Sequence, residues 1–127
     1  MRRWVKFNPN PRGLSVGDCT VRSICAVTRL DWRTVHHFLC ALSGWLCNMP
    51  SANDVWWRAL ELIGFRRVVL LDRCPACYTV RDFCRDHPRG VYILGPPEHA
   101  VAVIRGRYWD AWDSGETIPS FYFTREA

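Results

Sequence analysis

The amino-acid sequence predicts a segregated α+β domain, with N-terminal helices packed on an antiparallel β-sheet. Three observations carry this expectation. Up to Gly64 the chain alternates capping residues with apolar stripes of helical period. Beyond Phe65 it turns to short β-branched and aromatic runs. Those runs are separated by Gly95-Pro96-Pro97, Arg105-Gly106 and Asp113-Ser114-Gly115, so strands follow one another without helices between most of them. A chain of 127 residues suits one domain, 1–127, and leaves little room for a second core.

The elements follow in order. The first eighteen residues read as extended, because Pro9, Pro11, Gly13 and Gly17 break any period. Asp18 occupies an N-cap position before a helix over 19–28. Asp31 caps a second helix running through Ser43, whose stripe is Val35, Phe38, Leu39 and Leu42. Ser51 and Asp54 form a capping box for a third, with Val55, Leu60, Leu62 and Ile63 inside it and Gly64 as its C′ glycine. Residues 66–71 read as a strand, and 79–86 as a short helix stopped by Pro88. Strands are then expected at 91–94, 99–104, 107–112 and 118–123.

Composition excludes several classes of function. Hydrophobic residues are 49% of the chain and seven are tryptophan, which a disordered protein lacks. No apolar run reaches the roughly 18 residues of a membrane span. The start, Met1-Arg2-Arg3-Trp4, has no apolar segment behind its charges and is no signal peptide, so a cytoplasmic location is expected. In that reducing compartment seven cysteines are read as thiols, metal ligands or a nucleophile, and the odd count excludes a fully paired framework. The net charge is +5, but 16 of the 17 basic residues are arginine and are scattered, with Arg2-Arg3 and Arg66-Arg67 the only adjacent pairs. A nucleic-acid face would gather them, and none is expected.

One group of residues has the chemistry of a nucleophilic site. In the helix over 19–28 the apolar stripe is Val21, Ile24, Cys25 and Thr28. At about 100° per residue Cys19 lies roughly 200° from Val21 and 240° from Cys25, so it points away from that stripe. It also sits in the first turn, where free N–H groups and the positive end of the dipole favour a thiolate. Cys25 has a packing role instead. His99 begins the alternating run His99-Ala100-Val101-Ala102-Val103, and a turn at Arg105-Gly106 returns the chain towards Asp110 and Asp113. A thiolate, an imidazole to move its proton and a carboxylate to fix the imidazole tautomer form the set needed for acyl chemistry. The spacing leaves the acid open. With a two-residue turn the paired positions sum to 211 and Asp110 shares the histidine's face. With one more loop residue Asp113 stands opposite His99.

Gly17-Asp18-Cys19 opening a helix, then His99-Ala-Val-Ala-Val, then Trp112-Asp113-Ser114-Gly115, resembles the papain-like cysteine peptidase superfamily. The nearest likeness is to small, single-domain, C39-like members, including those encoded by phages and prophages of gut bacteria. With those the resemblance extends over nearly the whole chain, including Asn8-Pro9-Asn10-Pro11 and 78–83. It implies that Cys19 is the nucleophile, His99 the general base and later acid, and Asp113 the orienting acid, with Asp110 as the alternative. The glutamine that papain and C39 enzymes place six residues before the nucleophile is Gly13 here. The backbone N–H of Cys19 and a side-chain amide from Asn10, or from Asn8, are therefore the expected oxyanion donors.

The expected function is a cysteine hydrolase acting on a peptide, isopeptide or related amide bond, with a peptide or protein substrate and no membrane partner. The phage likeness adds host bacterial proteins to the possible partners. Two alternatives use the same fold: a non-catalytic binding protein that inhibits a host defence complex, and an acyl transferase. The triad needs no cofactor. A separate structural zinc site is open to Cys74, Cys77, Cys84 and His87, a CxxC followed by two further ligands at i and i+3. His36 and His37 read as boundary and surface residues of the second helix. Trp112 has two readings, as core packing or as a shield over the histidine–carboxylate hydrogen bond.

Overall fold

The computed structural model describes residues 2–71 and 76–125. Its elements run β1 (Trp4–Lys6), α1 (Cys19–Thr28), α2 (Trp32–Leu46), α3 (Asn53–Leu62), β2 (Arg66–Val69), α4 (Val80–Asp86), β3 (Val91–Leu94), β4 (Val101–Ile104), β5 (Arg107–Asp110) and β6 (Phe121–Thr124). Among the described residues four helices pack on a six-stranded sheet of order β1-β5-β4-β3-β6-β2, so the α+β class holds. No helix among the described residues is long and apolar enough to cross a membrane.

The sheet is mixed, which corrects the expectation of a purely antiparallel one. The segment expected to be extended supplies β1, which lies parallel to β5 with Trp4 against Tyr108 and Lys6 against Asp110. Three residues are too few to show a period, and their partner is a hundred residues away, so no local signal marks them. The ladder continues as the Phe7 N–H donates to the Asp110 carbonyl at 2.9 Å.

Helix α1 is the centre of the molecule. Every residue from Thr20 to Val27 is buried, so the helix has no solvent face opposite its expected stripe. It packs against α2 on one side and β3, β4 and β5 on the other. Burial all round leaves three polar side chains of α1, Thr20, Arg22 and Ser23, inside the protein.

The other helix ends follow local chemistry. Asp31 caps α2 by accepting the Thr34 N–H at 2.9 Å, and the helix runs three residues past Ser43 to a left-handed Cys47. The Ser51–Asp54 capping box is not formed. The N-cap of α3 is Ala52, and Asp54 accepts from the Asn48 amide instead. Gly64 ends α3 as expected: its φ of +97° lets its own N–H reach Glu61 and the Phe65 N–H reach Leu60, a Schellman closure with Leu60 and Phe65 both in the core. Thr79 and Asp82 form a reciprocal capping box on α4. Strands β2, β4, β5 and β6 are shorter than expected at the ends nearest their loops. His99 and Trp112 therefore lie just outside β4 and β5, at the end of the sheet where α1 begins.

Candidate active site

Three chain segments converge at this end of the sheet: the first residue of α1, the residues entering β4 and the last residue of β5. The β4–β5 hairpin decides which acid arrives there. Arg105 and Gly106 have φ of 51° and 74°, both left-handed, as a two-residue type I′ turn requires. The resulting pairs, Ile104–Arg107, Val103–Tyr108 and Ala102–Trp109, all sum to 211. Asp110 accordingly shares a face with His99, and His99 Nε2 lies 2.6 Å from Asp110 Oδ2.

Asp113 is not the partner of His99, contrary to the expectation drawn from the family resemblance. It lies past the end of the hairpin ladder, where its carboxylate accepts from the Tyr108 hydroxyl and from the Gly115 N–H and sits 3.5 Å from Arg81. Its side chain is 49% exposed, whereas that of Asp110 is fully buried. The two-residue turn, rather than the longer loop, separates Asp113 from the histidine.

The Asp110 carboxylate is saturated. Oδ1 accepts from Arg22 Nη2 at 2.8 Å and from the Ala111 N–H at 2.8 Å, and Oδ2 accepts from His99 and from the Ser114 hydroxyl. Arg22, itself 5% exposed, extends its other amino group to Asp18 Oδ1 at 2.6 Å. Asp18 Oδ2 then accepts the indole N–H of Trp32 at 2.8 Å. A buried chain of hydrogen bonds thus runs from Trp32 through Asp18, Arg22 and Asp110 to His99. Arg22, Ser114 and Trp32 were not singled out from the sequence. The legible signal was Asp18 and Arg22 at i, i+4, with an arginine set among Val21, Ile24 and Cys25.

His99, with Nε2 engaged by Asp110, lines the same cleft as Cys19 and interacts with its thiol. Burial pushes the Cys19 pKa up. The hydrogen bond and charge of His99, the Ala100 N–H and the Arg22 charge together outweigh it, and the thiol is held below its usual range. Burial works in the opposite direction on His99. Hydrogen bonds to Asp110 and Cys19 and their charges overcome it, raising the imidazole to about 9. Asp110 is pushed up by burial and lowered further by its bonds to His99 and Ser114, so it stays ionised. Three coupled groups in this state favour a thiolate–imidazolium pair.

The start of α1 adds to this. Asp18 is the N-cap residue, yet its side chain makes no cap bond, because both oxygens are committed to Arg22 and Trp32. The first-turn N–H groups, that of Cys19 included, are left uncapped by side chains at the sulfur's own end of the helix. A cleft of about 720 Å³ opens above Cys19 and His99, walled by Gly17, Trp56, Pro96, Trp112 and Phe121. The Trp112 ring stands 5.0 Å from that of His99 and is 48% exposed. That position covers the imidazole next to the His99–Asp110 bond, the shielding arrangement rather than core packing.

Asn10 does not line this cleft, so the expected oxyanion amide is not supplied by it. Its Oδ1 accepts the N–H groups of Arg12 and Leu14, and Asn8 in turn accepts from Asn10 and donates to the Leu14 carbonyl. Both asparagines close their own Pro-rich loop. The backbone N–H of Cys19 is the expected donor that stands at the site. His37 is exposed and His36 stacks on Trp32 at 4.7 Å, away from the cleft.

Of the zinc set, Cys74 lies outside the described residues. Cys77 is disulfide-bonded. Cys84 is fully buried, and that burial pushes its thiol up to about 12. His87 stacks on Phe83 at 3.7 Å, with Nδ1 2.9 Å from the Phe83 carbonyl. No group of three or more metal-ligating side chains occurs among the described residues.

Two predictions separate Asp110 from Asp113 and test the pairing of His99. Asp110→Asn is expected to cost about 3 kcal/mol of folding stability, since it strips charge from a buried ion-paired group. Asp113→Asn, at the surface, is expected to cost less than about 1 kcal/mol. Urea unfolding midpoints measure both, and equal losses contradict the assignment. The second concerns pH. The folded imidazole at about 9 retains its proton where the unfolded one, near 6.5, loses it. The stabilisation from His99 is therefore complete below about pH 6.5 and disappears as pH rises through about 9. Wild-type stability should fall over that interval more steeply than that of His99→Ala, and parallel profiles contradict the pairing.

No family model, curated protein or solved structure matches this chain.

Proposed function

We propose that this protein is a cysteine hydrolase that cleaves a peptide, isopeptide or related amide bond through a Cys19–His99–Asp110 triad. The observation that carries the reading is the fully buried, four-times hydrogen-bonded Asp110 holding His99 in the cleft that Cys19 also lines. A histidine placed only for packing needs no ionised partner beneath it, and a lone surface cysteine needs no imidazole above it.

His99 takes the Cys19 proton, and the sulfur bonds to the carbonyl carbon of the substrate. The negative oxygen of the tetrahedral intermediate is met by the Cys19 N–H and the uncapped start of α1. The imidazolium gives its proton to the leaving nitrogen as the C–N bond breaks, releasing an amine and leaving a thioester. Water then loses a proton to His99 while its oxygen attacks the thioester carbon. The C–S bond breaks, the acid leaves, and the proton on His99 returns to the Cys19 sulfur. Asp110 accepts no proton at any step. It holds the ring and offsets the imidazolium charge.

The test is turnover of a mixed library of fluorogenic peptide amides by wild type, Cys19→Ala and His99→Ala. Each substitution is expected to lower turnover by about 1000-fold or more, because the groups act as a unit. A hydrolysable substrate turned over equally by wild type and Cys19→Ala contradicts the proposal. Mass analysis of products with an added amine acceptor distinguishes a free acid from a transferred acyl group.

A further inference from the structure

A second cavity, of about 620 Å³, opens at the opposite end of α1 from Cys19. Its apolar walls come from Ala26 and Val27 of the last turn of α1, from Val91 and Ile104 of the sheet, and from Phe7 and Trp109. The last two rings pack edge-on at 5.4 Å. The charged residues that line it are Arg29, Arg105 and Arg107, and all three are exposed. None of them forms an ion pair among the described residues. The acid nearest in sequence to Arg29, Asp31, is occupied in accepting the Thr34 N–H.

Arg29 and Arg105 have left-handed φ of 63° and 51°, positions where glycine or asparagine is the low-cost choice. Arg29 is the left-handed C-cap of α1 and Arg105 the first residue of the β4–β5 turn, so two of the three guanidiniums are carried on chain reversals at the rim of the cavity. The carbonyl end of α1 also faces this cavity, but its partial negative charge of roughly half a unit is outweighed by three full positive ones. Cys25 in the wall is no reaction partner, since burial and the charges of Asp18 and Asp31 push its thiol up to about 12.

We propose that this cavity binds a nucleotide-sized organic anion, its aromatic or apolar body against Phe7 and Trp109 and its phosphate or carboxylate groups held by Arg29, Arg105 and Arg107. The volume falls in the range of small-ligand sites. Guanidinium forks match the paired oxygens of such groups, and three of them around one cavity suit a compact polyanion. The site is separate from the thiol cleft and does not depend on its activity.

The experiment is calorimetric titration of the full chain with ADP, adenosine, inorganic phosphate and a tetraglutamate peptide. ADP is expected to bind at least tenfold more tightly than adenosine or phosphate alone, because the body and the charge are both recognised. The Arg29→Gln/Arg107→Gln double variant, and separately Arg105→Gln, are expected to weaken ADP at least tenfold without moving the unfolding midpoint. ADP bound no more tightly than adenosine or phosphate, or unaffected by these variants, overturns the proposal. So does tighter binding of the acidic peptide, or protection of Cys19 from alkylation by ADP, which would place the ligand in the cleft.

Discussion

The ion pair between Arg22 and Asp110 is the contact on which the rest of the site depends. Both side chains are removed from water, and neither could stay charged there alone. Each is satisfied several times over: Arg22 by two carboxylates, Asp110 by a guanidinium, an imidazole, a hydroxyl and a backbone N–H. A buried ion pair is a weak source of stability. What it supplies here is position. It ties the first turns of α1 to the last residue of β5, and so fixes Cys19, on α1, relative to His99, which enters the neighbouring β4 and is held by Asp110.

The same contact explains why Asp18 does not behave as an ordinary cap. Its carboxylate serves Arg22 and Trp32, leaving the start of α1 open where the nucleophile sits. Desolvation alone would leave a neutral thiol and a neutral imidazole. The charges and hydrogen bonds that act on Cys19 and His99 are large enough to reverse that, and they act strongly because the Asp110 side chain is fully buried and that of His99 only 10% exposed. Trp112 keeps that pair covered while its outer face forms part of the cleft wall.

Much of this was legible in the sequence, for reasons that can be given residue by residue. Asp31, Gly64 and the stripe of the second helix act through local rules and appear where those rules place them, whereas Leu62, expected inside the third helix, is 54% exposed. Cys19 and His99 were identifiable because a thiol off the apolar stripe and a histidine at the head of an alternating strand are both anomalies of period. The acid was not settled, because a one-residue change in turn length exchanges Asp110 for Asp113. Only the left-handed pair at Arg105 and Gly106 decides it. Arg22 escaped notice because amphipathic reasoning assumes a solvent face, and α1 has none. β1 escaped because its pairing is parallel and remote. Asn10 is near Cys19 in sequence, but its side chain is spent on its own loop.

The most direct measurement is limited iodoacetamide labelling of the folded protein across about pH 4 to 9, resolved by peptide mass spectrometry for each cysteine. Cys19 is expected to react selectively below neutral pH, ahead of the exposed Cys47 and the buried Cys25 and Cys84. That advantage should vanish in His99→Ala, shrink in Asp110→Asn and survive in Asp113→Asn. A Cys19 that labels no faster than Cys47, or that is indifferent to the loss of His99, would contradict the thiolate–imidazolium pair and with it the hydrolase.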